Sequence, residues 1–353
     1  MTFPAPQSKQ RPMRIGRRTW RAWVAAVALV AGLIALALLC GPLFSFNPAP
    51  SHVADAVAGA SDLDRYLRER EAQHPGVKPG LAKTILWNDA RDGAHRKTPL
   101  ALVYLHGFSA SRRDISPVVE TLARRLGANA FLTRLSAHGM TAPSEFATVT
   151  AQDWLDDARE ALAIGERIGD RVILVGISTG ALLATMAALE DDTSRIAALI
   201  LLSPNFGLAD WRGKFVSGPL GPWLARVLIG AEHSFPPDSK GHAEFWTTRY
   251  PSRAIVAVMD LVNHARSLDL GKLAIPTLII YSDGDTVVDT QAIRDRFDEI
   301  GARHKLLIDL PEASRHELTG DALAPQTVQP VLAQITRFLA AAGVTGAASS
   351  ERR

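Results

Sequence analysis

A serine at position 178 stands between two glycines, Gly176 and Gly180, in the sequence GISTG. The five residues follow an apolar run of strand length at 171–175 and precede the helix-like run ALLATMAALE. A glycine on each side permits a tight, strained turn that lifts a serine hydroxyl above the end of a strand. The spacing therefore predicts a nucleophilic serine on a strand–turn–helix unit.

A serine hydroxyl is a weak nucleophile and needs a base oriented by an acid. In a parallel sheet such groups lie at the carboxyl ends of strands. His316 follows the predicted strand 305–309 and satisfies that rule, whereas His304 precedes the strand. His264 falls in a helical pattern, and His106 is explained as a buried histidine bonded to its own loop. His316 is therefore the predicted base.

Three aspartates follow the apolar run TLIIY and are candidates for the acid: Asp283, Asp285 and Asp289. Asp289 is placed to cap the next helix. Asp283 precedes a glycine, which is typical of a turn. Asp285 is the favoured acid and Asp283 the alternative. The chain order Ser178, Asp285, His316 is the order that the G-x-S-x-G arrangement requires.

An acyl-transfer site also needs backbone N–H groups that stabilise an oxyanion. The amide of Thr179, directly after the nucleophile, is one predicted donor. The second comes from the loop HGFS after the run 100–105, where Gly107 lets the chain turn closely and aims the Phe108 amide inward. The predicted oxyanion hole is thus made by Phe108 and Thr179.

Seven apolar runs of strand length alternate with helical patterns. Strands lacking polar alternation and joined by helices predict an α/β fold with a mostly parallel sheet, covered by helices on both faces. Thr150 and Asp153 resemble a capping box at a helix start. The predicted strands are 84–87, 100–105, 130–134, 171–175, 197–202, 277–281 and 305–309. The predicted helices are 115–126, 152–168, 181–190, 290–300 and 326–341.

About seventy residues, 204–275, interrupt this alternation between two predicted strands. The segment contains Trp211, Trp223 and Trp246 and several helical stretches, including 251–268. It is too long for a loop without structure of its own. We expect an inserted subdomain there.

These motifs together resemble the α/β-hydrolase superfamily, and more narrowly its branch of monoacylglycerol lipases, bacterial carboxylesterases and serine-aminopeptidase-like proteins. The resemblance covers about residues 81–342. The matching segments are LALVYLHGFSAS at 100–111, RLSAHGM at 134–140, DWLDDAREAL at 153–162, VILVGISTG at 172–180, LILLSP at 199–204, IPTLIIYSDGDTVV at 275–288 and SRHEL at 314–318.

The resemblance implies a Ser178–Asp285–His316 triad, an oxyanion hole of the Phe108 and Thr179 amides, and a cap at 204–275 over the pocket. It implies neither a cofactor nor a metal ion. One departure lies in the elbow, where this branch often has Met and a second Gly in the positions held here by Thr179 and Ala181. The resemblance therefore predicts the chemistry but not the substrate.

The net charge of +3 comes from a short N-terminal tail. Six basic side chains and no acidic one lie in residues 1–21, and the remaining 33 basic and 36 acidic side chains sum to −3. The body of the chain therefore has no basic excess for binding nucleic acid. The single cysteine, Cys40, excludes an internal disulfide and a cysteine-rich zinc site.

Residues 22–54 carry no charged side chain, and 22–44 are almost wholly apolar. A helix of that length reaches about 34 Å, enough to cross a bilayer core. The basic tail before it predicts a single-pass anchor with a cytoplasmic N-terminus and an extracytoplasmic (periplasmic) body. Cleavage as a signal peptide, lipidation of Cys40 and twin-arginine export through Arg17 and Arg18 remain alternatives.

The expected organisation is a basic tail (1–21), a signal anchor (22–44), a linker with a lead-in helix (45–80), the α/β-hydrolase domain (81–342) and a disordered tail (343–353). The expected function is a membrane-anchored serine hydrolase of small-molecule or lipid carboxylic esters. The same triad could serve an acyltransferase, a thioesterase or a peptidase. A non-catalytic anchored binding protein is a further alternative, and no protein partner is implied.

Overall fold

The structure is a computed structural model that describes residues 17–40, 46–88, 95–190, 193–217, 220–313 and 315–346. The chain divides into two units, Met1–Leu43 and Phe44–Arg353. The helices are α1 (Arg17–Cys40), α2 (Val53–Gly59), α3 (Leu63–Ala72), α4 (Val118–Leu126), α5 (Ala151–Ile168), α6 (Thr179–Glu190), α7 (Gly221–Leu228), α8 (Lys240–Phe245), α9 (Ala254–Ser267), α10 (Thr290–Glu299) and α11 (Val328–Ala341). The strands are β1 (Thr84–Leu86), β2 (Thr98–Leu105), β3 (Asn129–Leu132), β4 (Gly169–Ile177), β5 (Ile196–Leu202), β6 (Glu232–Ser234), β7 (Arg249–Pro251), β8 (Thr277–Tyr281) and β9 (Lys305–Asp309).

The first unit contributes the 24-residue helix α1. The structure describes side chains of α1 at 19–33 and at 35. Among the described residues, no helix has the length and apolar character needed to span a membrane. The anchor predicted at 22–44 therefore has no support from the described chain, and its last residues, 41–44, lie outside the described residues.

The second unit is built on a seven-stranded sheet in the order β1-β3-β2-β4-β5-β8-β9. The pair β1–β3 is antiparallel, and the other neighbours are parallel. All seven predicted strands are present. The central strands are buried on both faces, as in β4 and β5, where residues 172–177 and 196–202 are wholly buried, whereas the edge strands β1 and β9 are partly exposed. The prediction of a mostly parallel α/β sheet is confirmed.

Two helical layers cover the sheet, and successive residues of β2 point alternately into them. Val103 and Leu105 pack into a core with α5, α6 and α9, whereas Leu102 and Tyr104 pack into a core with α4 and α11. The six alternating side chains of β2, at 100–105, are each at most 4% exposed. The strand is therefore fixed from both sides, and so is the loop that follows it.

The start of α5 is set by the capping box that the sequence predicts. The backbone N–H of Thr150 donates to the Asp153 carboxylate at 2.8 Å, and the Asp153 N–H donates to the Thr150 hydroxyl at 3.3 Å. These bonds satisfy backbone groups that a helix start leaves unpaired. The helix begins at Ala151, one residue before its predicted start.

Residues 46–60, expected to be part of a linker, are docked on the second unit. Phe46 packs against the His264 ring at 5.6 Å. The Ala49 carbonyl accepts from the Arg159 guanidinium at 2.9 Å, and Arg167 donates to the carbonyls of Val57 and Ala60. The segment is thus held by helix α5 and does not behave as a free linker.

The insertion 204–275 has two structural parts. Helix α9 packs against α6 and α5 with its buried residues, which places it in a layer of the main fold. The antiparallel pair β6–β7 flanks helix α8, and the short connections on either side of α8 contact two loops that the sequence assigns to the site. Thr247 N–H donates to the Ser109 carbonyl at 2.7 Å, and Arg315 pairs with Asp238 at 3.1 Å.

Candidate active site

Ser178 lies between β4 and α6 with a φ of 54°, a left-handed conformation that a non-glycine residue adopts only when its surroundings impose it. Its surroundings are two glycine positions with no room for a side chain. A Cβ atom at Gly176 would lie 2.5 Å from the Gly180 carbonyl oxygen, and one at Gly180 would lie 2.1 Å from the Leu105 carbonyl oxygen. Close approach of α6 to the ends of β2 and β4 therefore explains both glycines.

His316 lies between Ser178 and Asp285 and bonds to both. Its Nε2 atom is 2.9 Å from the Ser178 Oγ atom, and its Nδ1 atom is 2.7 Å from Asp285 Oδ2. Because an ionised carboxylate only accepts, Nδ1 carries the proton and Nε2 is the acceptor for the serine O–H. The three side chains expected to form a triad are thus in one hydrogen-bonded series.

The other two aspartates of the 277–289 region have different roles. Asp283 is 59% exposed at its side chain and pairs with Arg294, whereas the Asp285 side chain is fully buried. Asp289 accepts from the N–H groups of Gln291 and Ala292 and caps α10. Asp283, the alternative acid, therefore pairs with Arg294, whereas Asp285 is the aspartate bonded to His316.

Burial and the Asp285 carboxylate act in opposite directions on His316. Burial alone would lower the pKa of His316, but the hydrogen bond and negative charge of Asp285 raise the pKa above its ordinary value of 6.5. Burial would likewise raise the pKa of Asp285, yet the bond to His316 and its charge lower that pKa below 3.8. Val287 and Val288 N–H groups contribute in the same direction, at 2.8 and 3.1 Å from Asp285 Oδ1.

The loop after β2 passes beside Ser178. A Cβ atom at Gly107 would lie 3.5 Å from the Ser178 Cβ atom. Within the described residues, the N–H groups of Phe108 and Thr179 have no hydrogen-bond acceptor. Thr179 is also the first residue of α6, where backbone N–H groups are free and the helix dipole is positive.

Two buried histidines, both in the neutral form, hold this loop in place. His106 Nδ1 donates to the Gly107 carbonyl at 2.9 Å while its Nε2 accepts from Leu135 N–H at 3.0 Å. His138 Nε2 accepts from Ser109 N–H at 3.0 Å. Burial lowers the pKa of His106 to about 4 and that of His138 well below 6.5. Neither ring contacts Ser178 in the described structure, and both act on backbone.

Two supporting contacts escape sequence reasoning. Asp114 accepts from the Gly107 N–H at 3.1 Å, and Asn205 N–H donates to the Ser178 carbonyl at 3.3 Å. No motif marks either residue, and only the crossing of separate chain segments brings them to the site. Among the described residues, no group of three or more His, Cys, Asp or Glu side chains could hold a metal ion.

A strand–serine–helix elbow on a mostly parallel sheet, with a histidine and an aspartate following later strands, defines an α/β-hydrolase. A family model described as "Serine aminopeptidase, S33" matches residues 97–322. The chain therefore belongs to the S33 serine aminopeptidase family within the α/β-hydrolase superfamily, which confirms the resemblance found in the sequence.

Solved structures of lipolytic enzymes share the fold. A chain from the study of LipS and LipT, two metagenome-derived lipolytic enzymes, is 22% identical with a TM-score of 0.59, covering 74% of this chain and 98% of that one. A monoglyceride lipase of Saccharomyces cerevisiae is 14% identical with a TM-score of 0.55, covering 74% and 91%. A monoacylglycerol lipase of Paleococcus ferrophilus is 16% identical with a TM-score of 0.52, covering 74% and 99%. No curated protein matches the sequence.

Replacing Gly180 with Ala tests the steric explanation of the elbow. The added methyl group would meet two backbone carbonyls, those of Leu105 and His106, at 2.1 and 2.5 Å. Backbone cannot move aside as a side-chain tip can, so we expect the free energy of unfolding to fall by about 3 kcal/mol or more. Urea unfolding measures this change. Gly59→Ala, where nothing lies within 4 Å, is the matched control, and equal effects of both variants would contradict the explanation.

The pH dependence of Ser178 reactivity tests the roles of the two aspartates. A base must be neutral, so labelling by a fluorophosphonate should increase as pH rises through the pKa of His316, above 6.5. Asp285→Asn removes the charge and weakens the hydrogen bond that do most to raise this pKa, and leaves burial with the weaker effects of Glu317 and Asp114, so the midpoint should move to lower pH and the maximal rate should fall. Asp283→Asn is the control and should leave the midpoint in place. A midpoint moved by Asp283→Asn alone would reverse the assignment.

Proposed function

We propose that the domain is a serine hydrolase that cleaves carboxylic esters through an acyl-enzyme. The observation that carries this proposal is the series Ser178–His316–Asp285, with its hydrogen bonds of 2.9 and 2.7 Å. A nucleophile, a base and an orienting acid within hydrogen-bond reach are the groups that acyl transfer requires.

In the first half-reaction, Ser178 Oγ attacks the acyl carbon while His316 Nε2 takes the hydroxyl proton. The carbonyl electrons move onto the oxygen, and the N–H groups of Phe108 and Thr179 are the proposed donors to that oxyanion. Collapse of the intermediate breaks the ester bond, and His316 gives its proton to the departing alcohol. The acyl group remains on Ser178.

In the second half-reaction, water attacks the acyl-enzyme and gives a proton to His316 Nε2. Collapse releases the carboxylic acid, and the proton returns to Ser178 Oγ. Asp285 stays ionised throughout and stabilises the positive imidazolium. The lowered pKa of Asp285 and the raised pKa of His316 support this division of charge.

An ester substrate is supported by the solved structures that share the fold at TM-scores of 0.52 to 0.59, which come from work on lipolytic enzymes and from two monoacylglycerol lipases. The family model carries a peptidase description, so a peptide with a free amino terminus is the second candidate substrate.

Substituting Ser178 by Ala should reduce hydrolysis of p-nitrophenyl esters by at least about a thousandfold, because the nucleophile is lost. Stopped or continuous absorbance assays on the full chain measure the rate, and circular dichroism verifies folding. Ser267→Ala, at the exposed end of α9, is the matched serine control and should retain wild-type turnover. Ester turnover that survives Ser178→Ala, or wild-type cleavage of aminoacyl p-nitroanilides in preference to esters, would contradict the proposal.

We also propose, from the sequence, that residues 22–44 anchor the domain on the extracytoplasmic side of a membrane. The uncharged run 22–54 and the six basic residues before it support this proposal. In cells expressing the full chain, the protein should remain with membranes after alkaline carbonate washing, and external protease should reach the domain in spheroplasts. Release by carbonate, or protection from protease, would contradict the anchor or its orientation.

A further inference from the structure

Asp114 is a buried carboxylate outside the proposed triad. It is 3% exposed, and three donors surround it. Its Oδ2 atom accepts from Gly107 N–H at 3.1 Å, and its Oδ1 atom accepts from Ile115 N–H at 2.9 Å and from the Tyr104 hydroxyl. A carboxylate removed from water needs such donors, and they fix its position closely.

The bond to Gly107 acts on the peptide unit that joins His106 to Gly107. On one side of this unit, the N–H is held by Asp114. On the other side, the His106 carbonyl oxygen lies so close to Gly180 that a Cβ atom added to that glycine would be 2.5 Å from the oxygen. Because a peptide unit is planar, contacts at both ends set its orientation.

The next peptide unit contains the Phe108 N–H. Its carbonyl, that of Gly107, accepts from His106 Nδ1 at 2.9 Å. The two units meet at the Cα atom of Gly107, so the bonds on both sides of that atom together set the direction of the Phe108 N–H. Asp114 is the side chain that accepts from the first of these units.

The same turn supports the loop that carries His316. Gly320 packs closely against the turn: a Cβ atom at Gly320 would lie 2.2 Å from the Asp114 carbonyl oxygen. The next residue, Asp321, donates its N–H to the Ser116 carbonyl at 2.7 Å. Asp114 thus occupies the turn between the two loops that face Ser178.

We propose that Asp114 is a positioning residue of the oxyanion loop, which holds Gly107 so that the Phe108 amide faces the reacting carbonyl. The inference rests on the proposed esterase function. In this proposal Asp114 does not contact the substrate. Its effect belongs to the transition state, in which the oxyanion forms, and not to binding of the neutral ester.

The test is steady-state hydrolysis of p-nitrophenyl butyrate by Asp114→Asn in the full chain. An asparagine side chain has one oxygen for three donors, so the Gly107 bond is lost or shared. We expect kcat to fall about 10- to 100-fold with KM within about twofold of wild type, and fluorophosphonate labelling of Ser178 to slow in parallel. The matched control is Asp153→Asn, since Asp153 also accepts from a backbone N–H and a hydroxyl, those of Thr150, but at the start of α5. It should keep wild-type kcat.

A folded Asp114→Asn with kcat within twofold of wild type, or with a raised KM alone, would overturn the inference. If Asp114→Asn does not fold, Asp114→Glu keeps the charge and displaces the carboxylate by one methylene, and the same fall in kcat at constant KM is expected of it. Unchanged kcat in Asp114→Glu overturns the inference equally. Wild-type protein without ester turnover would instead refute the proposed function, so the two failures are distinguishable.

Discussion

The close approach of helix α6 to the end of strand β2 is the constraint on which the rest of the site depends. At Gly180 the helix backbone leaves no space for a methyl group beside the carbonyls of Leu105 and His106. The chain can turn from β4 into α6 only through a strained residue, and that residue is Ser178, with its φ of 54°. The parallel sheet holds both strands from either face, so the strain is borne by a large buried core and not by the loop itself.

Around this turn, the surroundings of the histidines stabilise different protonation states. His106 and His138 are buried without a charged partner, so burial keeps them neutral and fit to bond backbone groups of fixed polarity. His316 is mostly buried but shares a hydrogen bond with Asp285, so its charged form is stabilised. The same residue type therefore bonds to backbone groups in one loop and to the Ser178 and Asp285 side chains in the other, and the neighbouring carboxylate makes the difference.

Much of this arrangement could be predicted from the sequence because it follows from local patterns. Buried parallel strands leave apolar runs without alternation, which located the central strands of the main sheet, and shorter apolar runs located the edge strands β1 and β9. The rule that site residues follow strands separated His316 from His304, and turn chemistry separated Asp285 from Asp283. Asp289 caps α10 as its position before a helical pattern indicated.

What the sequence did not reveal depends on contacts between distant segments. The Asp114 bond to Gly107 and the Asn205 bond to Ser178 carry no motif, because any acid or any backbone N–H at the right place would serve. The insertion was taken as one unit, although α9 has the apolar face of a core helix and packs against α6. The proline- and alanine-rich segment 46–60 has the composition of a linker, but Arg159 and Arg167 bind its carbonyls from helix α5.

That docked segment fixes where the folded domain begins. A cut before Phe46 would remove none of the bonds that join 46–60 to α5, so a released form starting there would retain the full surface of the domain. A cut after Ala60 would separate Phe46 from His264 and remove the backbone carbonyls to which Arg159 and Arg167 donate, those of Ala49, Val57 and Ala60. Residues 46–60 are therefore part of the folded domain, and a fragment that lacks them loses contacts that α5 and α9 make in the intact chain.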